Sequence, residues 1–235
     1  MKKLFLLLSI LSVSCGKPET ASEVIERSIA FHDPENNWNK FQDSLTIRMS
    51  MPDSKERISK IYLDRTGKQF VLNMIEENIS KTYFLHGDTC WLKLNGSSDF
   101  SEAEADDLGL TCERAELFKN YYEYLYGLPM KLQDEAAIIG ELEKTEFMGK
   151  KYLKVRVTYD EKVGNDIWFF YFDFETYALE AYQFYKKDES GKMDTNSGEY
   201  ILLDGIKEVS GVKIPKERTW YYNSNEELLG TDFLE

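Results

Sequence analysis

A chain of 235 residues with 42 acidic against 29 basic side chains carries a formal charge of −13. That balance excludes a nucleic-acid partner, whose phosphates demand basic patches, and it excludes electrostatic docking on anionic lipid headgroups. The 14 Phe, 15 Tyr and 4 Trp supply ample apolar material for a core, most of it at or beyond Phe118, so the second half carries the heavier packing.

Residues 1–14 read as a targeting segment. Lys2 and Lys3 form a positive n-region and Leu4 to Val13 a short apolar h-region, too short for a membrane span of about 20 residues. The end of the segment, Leu11-Ser12-Val13-Ser14-Cys15, resembles a bacterial lipobox, in which the cysteine is diacylated and becomes the first mature residue. Ser14 fits that motif, whereas Ser12 stands where Leu is commonest; the alternative is a plain secretory signal cleaved elsewhere. A diacylglyceryl anchor on Cys15 is therefore expected, since more than one acyl chain is needed for stable anchoring. Residues 15–19 would then form a lipidated tether, and the mature charge would be about −15 after loss of Lys2 and Lys3. Lys17 is not the aspartate that retains many bacterial lipoproteins at the inner membrane, so the outer membrane is the expected address.

Thr20-Ala-Ser-Glu23 has the form of a capping box. Val24, Ile25, Ile29 and Phe31 follow at near-helical spacing, which predicts a helix over residues 21–31, stopped at Pro34. Trp38 and Phe41 should pin the next turn. The signal then switches to period two. Leu45, Ile47, Met49 and Met51 alternate with polar partners, as a half-buried strand requires. Strands at 58–63 and 70–75 flank the turn Asp64-Arg-Thr-Gly67, and strands at 82–85 and 90–94 flank His86-Gly87-Asp88. Such spacing describes an antiparallel meander.

The acidic stretch 99–107 breaks that pattern and reads as a solvated loop; calcium is its functional alternative, but the spacing matches no EF-hand. Thr111 can cap the next helix, in which Ala115, Phe118, Tyr122 and Leu125 make one stripe. Gly127 and Pro129 end it. Beyond it Leu153, Val155, Val157 and Tyr159 alternate with polar residues, and Ile167 to Phe174 is apolar on both faces. A strand of that kind is buried twice or lines a lipid-like cavity. Segments 179–185, 200–203, 212–214, 218–222 and 228–234 complete the meander, with 186–199 a polar hairpin loop.

Cys90 and Cys112 remain once Cys15 is assigned to lipid. Outside the cytoplasm such a pair is a natural disulfide; two small buried residues are the alternative. The sequence holds no H-E-x-x-H, G-x-S-x-G or P-loop, and no cofactor or metal is implied. His32, followed by Asp33 and Glu35, is the best available constellation for a hydrolase or metal enzyme, against a helix-end histidine that stabilises the last carbonyls.

The ordered set of lipobox, Ala30-Phe31-His32, Trp38, Tyr126-Gly-Leu-Pro129, Phe147-x-Gly-Lys-x-Tyr152, Tyr171-x-Asp-x-x-Thr-Tyr177, Val209-x-Gly-Val-Lys-Ile-Pro215 and Thr219-Trp-Tyr221 resembles the bacterial envelope lipoproteins of domain of unknown function 6503. That family is in turn similar to the LolA/LolB lipoprotein-carrier superfamily. The resemblance implies an α+β, mainly β fold: a single domain over 20–235 made of a curved antiparallel sheet, an incomplete barrel, with helices packed on its concave side. It implies non-catalytic binding of an apolar or acyl-chain ligand between sheet and helices, with a structural or assembly role that presents a protein-binding face as the alternative. Fold alone does not fix function. The expected cavity lining is Phe118, Tyr122 and Leu125 from the helix, facing Trp168, Phe170 and Phe172 or the opposite face Ile167, Phe169 and Tyr171.

Overall fold

The computed structural model describes residues 19–235; the expected leader and the expected anchor residue Cys15 lie outside the described residues. Thr20 opens α1 (Ala21–His32) in the reciprocal manner its sequence suggests. The Thr20 hydroxyl accepts from the Glu23 N–H at 3.3 Å, and the Glu23 carboxylate accepts from the Thr20 N–H at 2.8 Å. The Asp33 carboxylate then accepts from the Asn37 and Trp38 N–H groups at 2.7 and 2.8 Å, turning the chain so that Trp38 and Phe41 are buried.

Twelve strands form one antiparallel sheet. The first five are β1 (Gln42–Ser50), β2 (Glu56–Asp64), β3 (Gln69–Glu76), β4 (Ile79–His86) and β5 (Thr89–Leu94). The other seven are β6 (Ala137–Phe147), β7 (Lys150–Tyr159), β8 (Ile167–Asp173), β9 (Leu179–Tyr185), β10 (Glu199–Val209), β11 (Val212–Tyr222) and β12 (Leu228–Leu234). Their spatial order is β5-β4-β3-β2-β1-β12-β11-β10-β9-β8-β7-β6. Two meanders therefore meet where β12 lies beside β1, with Leu234 opposite Ile47 and Asp232 opposite Met49. The chain leaves the sheet at one edge, β5, and re-enters at the other, β6, and these edges do not pair. The connection carries α2 (Glu102–Leu108) and α3 (Cys112–Tyr126).

Side chains alternate along each strand, so one face collects the main core. Leu45, Leu63, Phe70 and Leu72 from the first meander join Val155, Phe170, Phe172 and Ile201 from the second. Val24 and Ile25 of α1 pack against them with Ala115, Leu125 and Tyr126 of α3. A smaller cluster on the outer face unites Tyr152, Tyr171 and Ala181 with Phe147, Phe169 and Leu202. There Phe147 stacks on Tyr171 with ring centroids 4.4 Å apart. That outer cover is why β8 is apolar on both faces: Phe170 and Phe172 face the main core while Phe169 and Tyr171 face outward under it.

The structure corrects three expectations. The acidic stretch is not an irregular loop, because α2 lies in it. Ser101 and Glu104 form a second capping box there, with the Glu104 carboxylate accepting from the Ser101 N–H at 2.8 Å, and Gly109 ends the helix at φ +61°. Strand β6 is absent from the sequence reading because it is a charged edge strand, AIIGELEKTEF, with no regular apolar alternation; edges of that kind resist pairing with other chains. The segments 212–214 and 218–222 are one strand through Pro215. β12 pairs with β11 only from Glu217 to Tyr221, so Pro215 lies past its end and needs no donor on that side.

Cys90 of β5 and Cys112 at the start of α3 are joined by a disulfide with Cα atoms 6.0 Å apart and a sequence separation of 22. The bridge fastens the helix to the edge from which the chain departs. In the chain-entropy account a loop of this size contributes about 3 kcal/mol. The double substitution Cys90→Ser with Cys112→Ser is expected to lower unfolding stability by about that amount in urea titrations. An unchanged midpoint would show that the bridge adds nothing.

Candidate functional site

Helix α3 begins at Thr111, whose hydroxyl accepts from the Arg114 N–H at 3.2 Å, with Glu113 in the first turn where the helix dipole favours it. It ends at Gly127. That glycine has φ −89°, so it is not there for a left-handed cap; a Cβ would come within 2.5 Å of the Trp38 indole. Ala115, Tyr122, Leu125 and Tyr126 are buried against the sheet and Phe118 is half-buried beside them. The Tyr122 hydroxyl donates to Ser59 Oγ at 2.9 Å. Arg218, only 2% exposed, donates to the Leu125 carbonyl at 3.2 Å and places its guanidinium 4.0 Å from the centre of the Tyr126 ring.

Beneath the helix runs a polar row. Arg57, Met49, Asp232 and Arg218 stand opposite one another across β2, β1, β12 and β11. The Trp220 indole N–H donates to Asp232 Oδ2 at 3.2 Å. Arg57 Nε, Arg218 Nε and Asp232 Oδ1 are buried without a hydrogen-bond partner among the described residues. Burial pushes the Asp232 carboxyl up, while the positive charges of Arg218 and Arg57 and the Trp220 donor pull against that rise. A row of this kind inside an apolar core is costly unless its groups find partners.

Several clefts border α3, and two of them take in its aromatic side chains. One, of about 520 Å³, is lined by Tyr124, Tyr159 and Trp168 together with Glu123, Lys131, Asp134, Lys162 and Asp166. The Tyr124 and Tyr159 hydroxyls are hydrogen-bonded at 2.8 Å across it. Burial pushes both phenols up, to about 12 for Tyr159, so they remain neutral donors and acceptors at ordinary pH. Charges of both signs make this a poor seat for an alkyl chain. The second cleft, about 340 Å³, is lined by Leu117, Phe118, Tyr121 and Tyr122 with Arg57 and Arg114. Five of those six come from one face of α3, at helical offsets of 3, 4, 7 and 8 from Arg114.

The expected lining residues therefore separate. Phe118 and Tyr122 reach the second cleft and Trp168 the first. Leu125, Phe170 and Phe172 line neither: they are 4%, 0% and 0% exposed inside the packed core, because α3 fills the concavity itself. The missed residues are Leu117 and Tyr121, which are 60% and 40% exposed. Their spacing from Arg114 was readable as a second stripe, but beside the more apolar stripe through Phe118 it resembles an ordinary solvent face. Although Tyr121 is 40% exposed as a residue, burial of its hydroxyl first, and then the Asp232 charge, pushes that phenol well above its usual range.

His32 lies away from both clefts. The Leu179 N–H donates to Nε2 at 3.0 Å, so the Nδ1 proton is the one given to the Lys213 carbonyl at 2.7 Å. Both ring nitrogens are thus occupied by backbone, which ties the end of α1 to β9 and β11 and leaves no lone pair for a metal or a substrate proton. The Asp33 carboxylate is spent on the turn that follows α1.

Among protein families, the Family of unknown function (DUF6503) matches residues 2–234. The structure is similar to that of the LolA superfamily protein NE2245 from Nitrosomonas europaea, with TM-score 0.53 and 12% identity over 93% of this chain and 92% of that one. It is also similar to a DUF1329 family protein from Desulfovibrio piger, with TM-score 0.48 and 11% identity over 93% and 92% of the two chains. No curated protein matches the sequence. At 12% identity the first likeness shows a shared fold, an unclosed antiparallel sheet with helices on one side.

Burial lowers His32 from 6.5 to about 4, partly opposed by its bond to Lys213. The folded chain therefore holds this imidazole neutral where the unfolded chain would protonate it. Its contribution is complete above pH 6.5 and is lost as pH falls through that window toward 4. The full loss is about 3 kcal/mol. Urea midpoints at pH 7.5 and 4.5 should differ by less in His32→Gln than in the parent; equal pH dependence in both would show that His32 is not the group responsible.

Proposed function

The chain belongs to the family DUF6503, and from that membership and a fold shared with the LolA superfamily we propose that it binds an apolar, acyl-chain ligand without catalysis. The seat is the cleft between α3 and the start of β2, not the centre of the half-barrel, which is packed. The observation that carries this reading is the neighbouring exposure of Leu117 and Tyr121, 60% and 40%, over a floor made by Phe118 and Tyr122. Large apolar side chains exposed together beside a cleft mark a surface that gains by being covered. A chain laid there gains about 0.8 kcal/mol per buried CH₂ before ordering costs.

In this reading Cys15 carries a diacylglyceryl anchor that holds the domain at the envelope, at the outer membrane, where it receives its ligand locally. A lipid-anchored copy does not ferry cargo across a periplasm as a soluble carrier does. His32, with both nitrogens engaged by backbone, supports the non-catalytic side of the proposal.

Two experiments address it. Displacement of a fluorescent fatty acid should show saturable binding, and the double substitution Leu117→Ser with Tyr121→Ser should weaken it about tenfold, roughly 1.4 kcal/mol, with circular dichroism and an unfolding curve showing that the variant is folded. No binding by the parent, together with a stably co-purifying protein, would favour an assembly role instead. Cys15→Ser should release the protein into soluble fractions and abolish labelling by a clickable fatty acid; unchanged labelling would remove the anchor from the account.

A further inference from the structure

Arg57 and Arg114 face the same apolar cleft from different elements, one at the start of β2 and one in the first turn of α3. Arg27, Arg48 and Arg65 are each ion-paired, whereas neither Arg57 nor Arg114 has a carboxylate at ion-pairing distance among the described residues. Their contacts are soft. Arg57 Nη2 donates to Met49 Sδ at 3.1 Å, and its Nε is buried without a partner. The Arg114 guanidinium lies 5.2 Å from the centre of the Phe118 ring. Arg57 feels the Asp232 charge through the row beneath the helix, but two guanidiniums without a direct ion pair at one apolar cleft leave donors free in a chain with 42 acidic and 29 basic residues.

We propose that this cleft is specific for a single-chain fatty-acid carboxylate, its head held by Arg57 and Arg114 and its chain lying along Leu117, Phe118, Tyr121 and Tyr122. The proposal rests on the acyl-chain reading above and adds the head group to it. A guanidinium is a planar fork of donors that matches a carboxylate in two-point geometry. The volume of about 340 Å³ lies at the small end of ligand sites, which run from about 300 to 1,000 Å³. One chain and a compact head fill such a cleft. The aromatic rings beneath the chain are fixed, with Tyr121 and Tyr122 in edge contact at 5.1 Å, so little side-chain freedom remains to be lost on binding.

The test compares dodecanoate, dodecyl phosphate and dodecanol, one alkyl chain with three heads, by isothermal titration at pH 7.5 below their aggregation limits. Dodecanoate should bind about tenfold more tightly than dodecanol, and the ratio should fall as salt is raised. In Arg57→Gln with Arg114→Gln that preference should vanish while dodecanol binds as before, which also shows that the variant is folded. Equal binding of dodecanoate and dodecanol by the parent, or a preference that survives in the variant, would overturn the carboxylate assignment and leave the acyl-chain reading standing. Tighter binding of dodecyl phosphate than of dodecanoate would overturn it in favour of a phosphate head. Binding of none of the three would remove both.

Discussion

An antiparallel sheet of twelve strands that does not close leaves one apolar face which the chain must cover with its own connections. Here the covering segment is fixed by topology. The two meanders join side by side through β1 and β12, so the free edges are β5 and β6, and the chain has to cross from one to the other. Helix α3 is that crossing. It is tied at its start by the Cys90–Cys112 bridge, in its middle by Tyr122 to Ser59, and at its end by Arg218 beneath Tyr126 and Leu125. The close approach of Gly127 to Trp38 then turns the chain away.

A helix is narrower than the face it covers, and the clefts follow from that mismatch. On one flank the return toward β6 and the β7–β8 loop bring charges of both signs to Trp168 and Tyr124. On the other flank the helix faces the start of β2, with no charged loop between them, and its own side chains form most of the wall. The centre of the concavity stays filled: Phe170, Phe172 and Leu125 pack as core. The interior is packed, while the cleft beside Leu117 and Tyr121 stays open at the surface. Beneath that flank the row Arg57, Met49, Asp232 and Arg218 brings charge into the sheet from its rim.

Much of this was legible in the sequence. Period-two alternation from Leu45 to Leu94 and from Leu153 to Leu234 located most of the strands, and the Thr20–Glu23 and Thr111 caps located two helices. What escaped did so for physical reasons. The charged strand β6 gains its place from backbone pairing with β7, not from an apolar pattern. The break inferred around Pro215 vanishes because β12 is too short to ask that residue for a donor. The cavity residues were assigned by the greatest hydrophobicity, which picks out the most tightly packed core. Leu117 and Tyr121 join the expected Phe118 and Tyr122 at an open cleft, and only the position of β2 beside α3 shows that they border it.

The central claim is that an acyl chain lies along the exposed flank of α3 and not within the half-barrel. A fatty acid carrying a photoreactive diazirine on its chain tests this most directly, with labelled peptides mapped by mass spectrometry after irradiation and competition with unlabelled ligand. The account predicts saturable labelling confined to the segment from Arg114 to Tyr122 and to the neighbourhood of Arg57. Saturable labelling of Phe170 or Phe172 in the core, or of Tyr124 and Trp168 on the opposite flank, would contradict it.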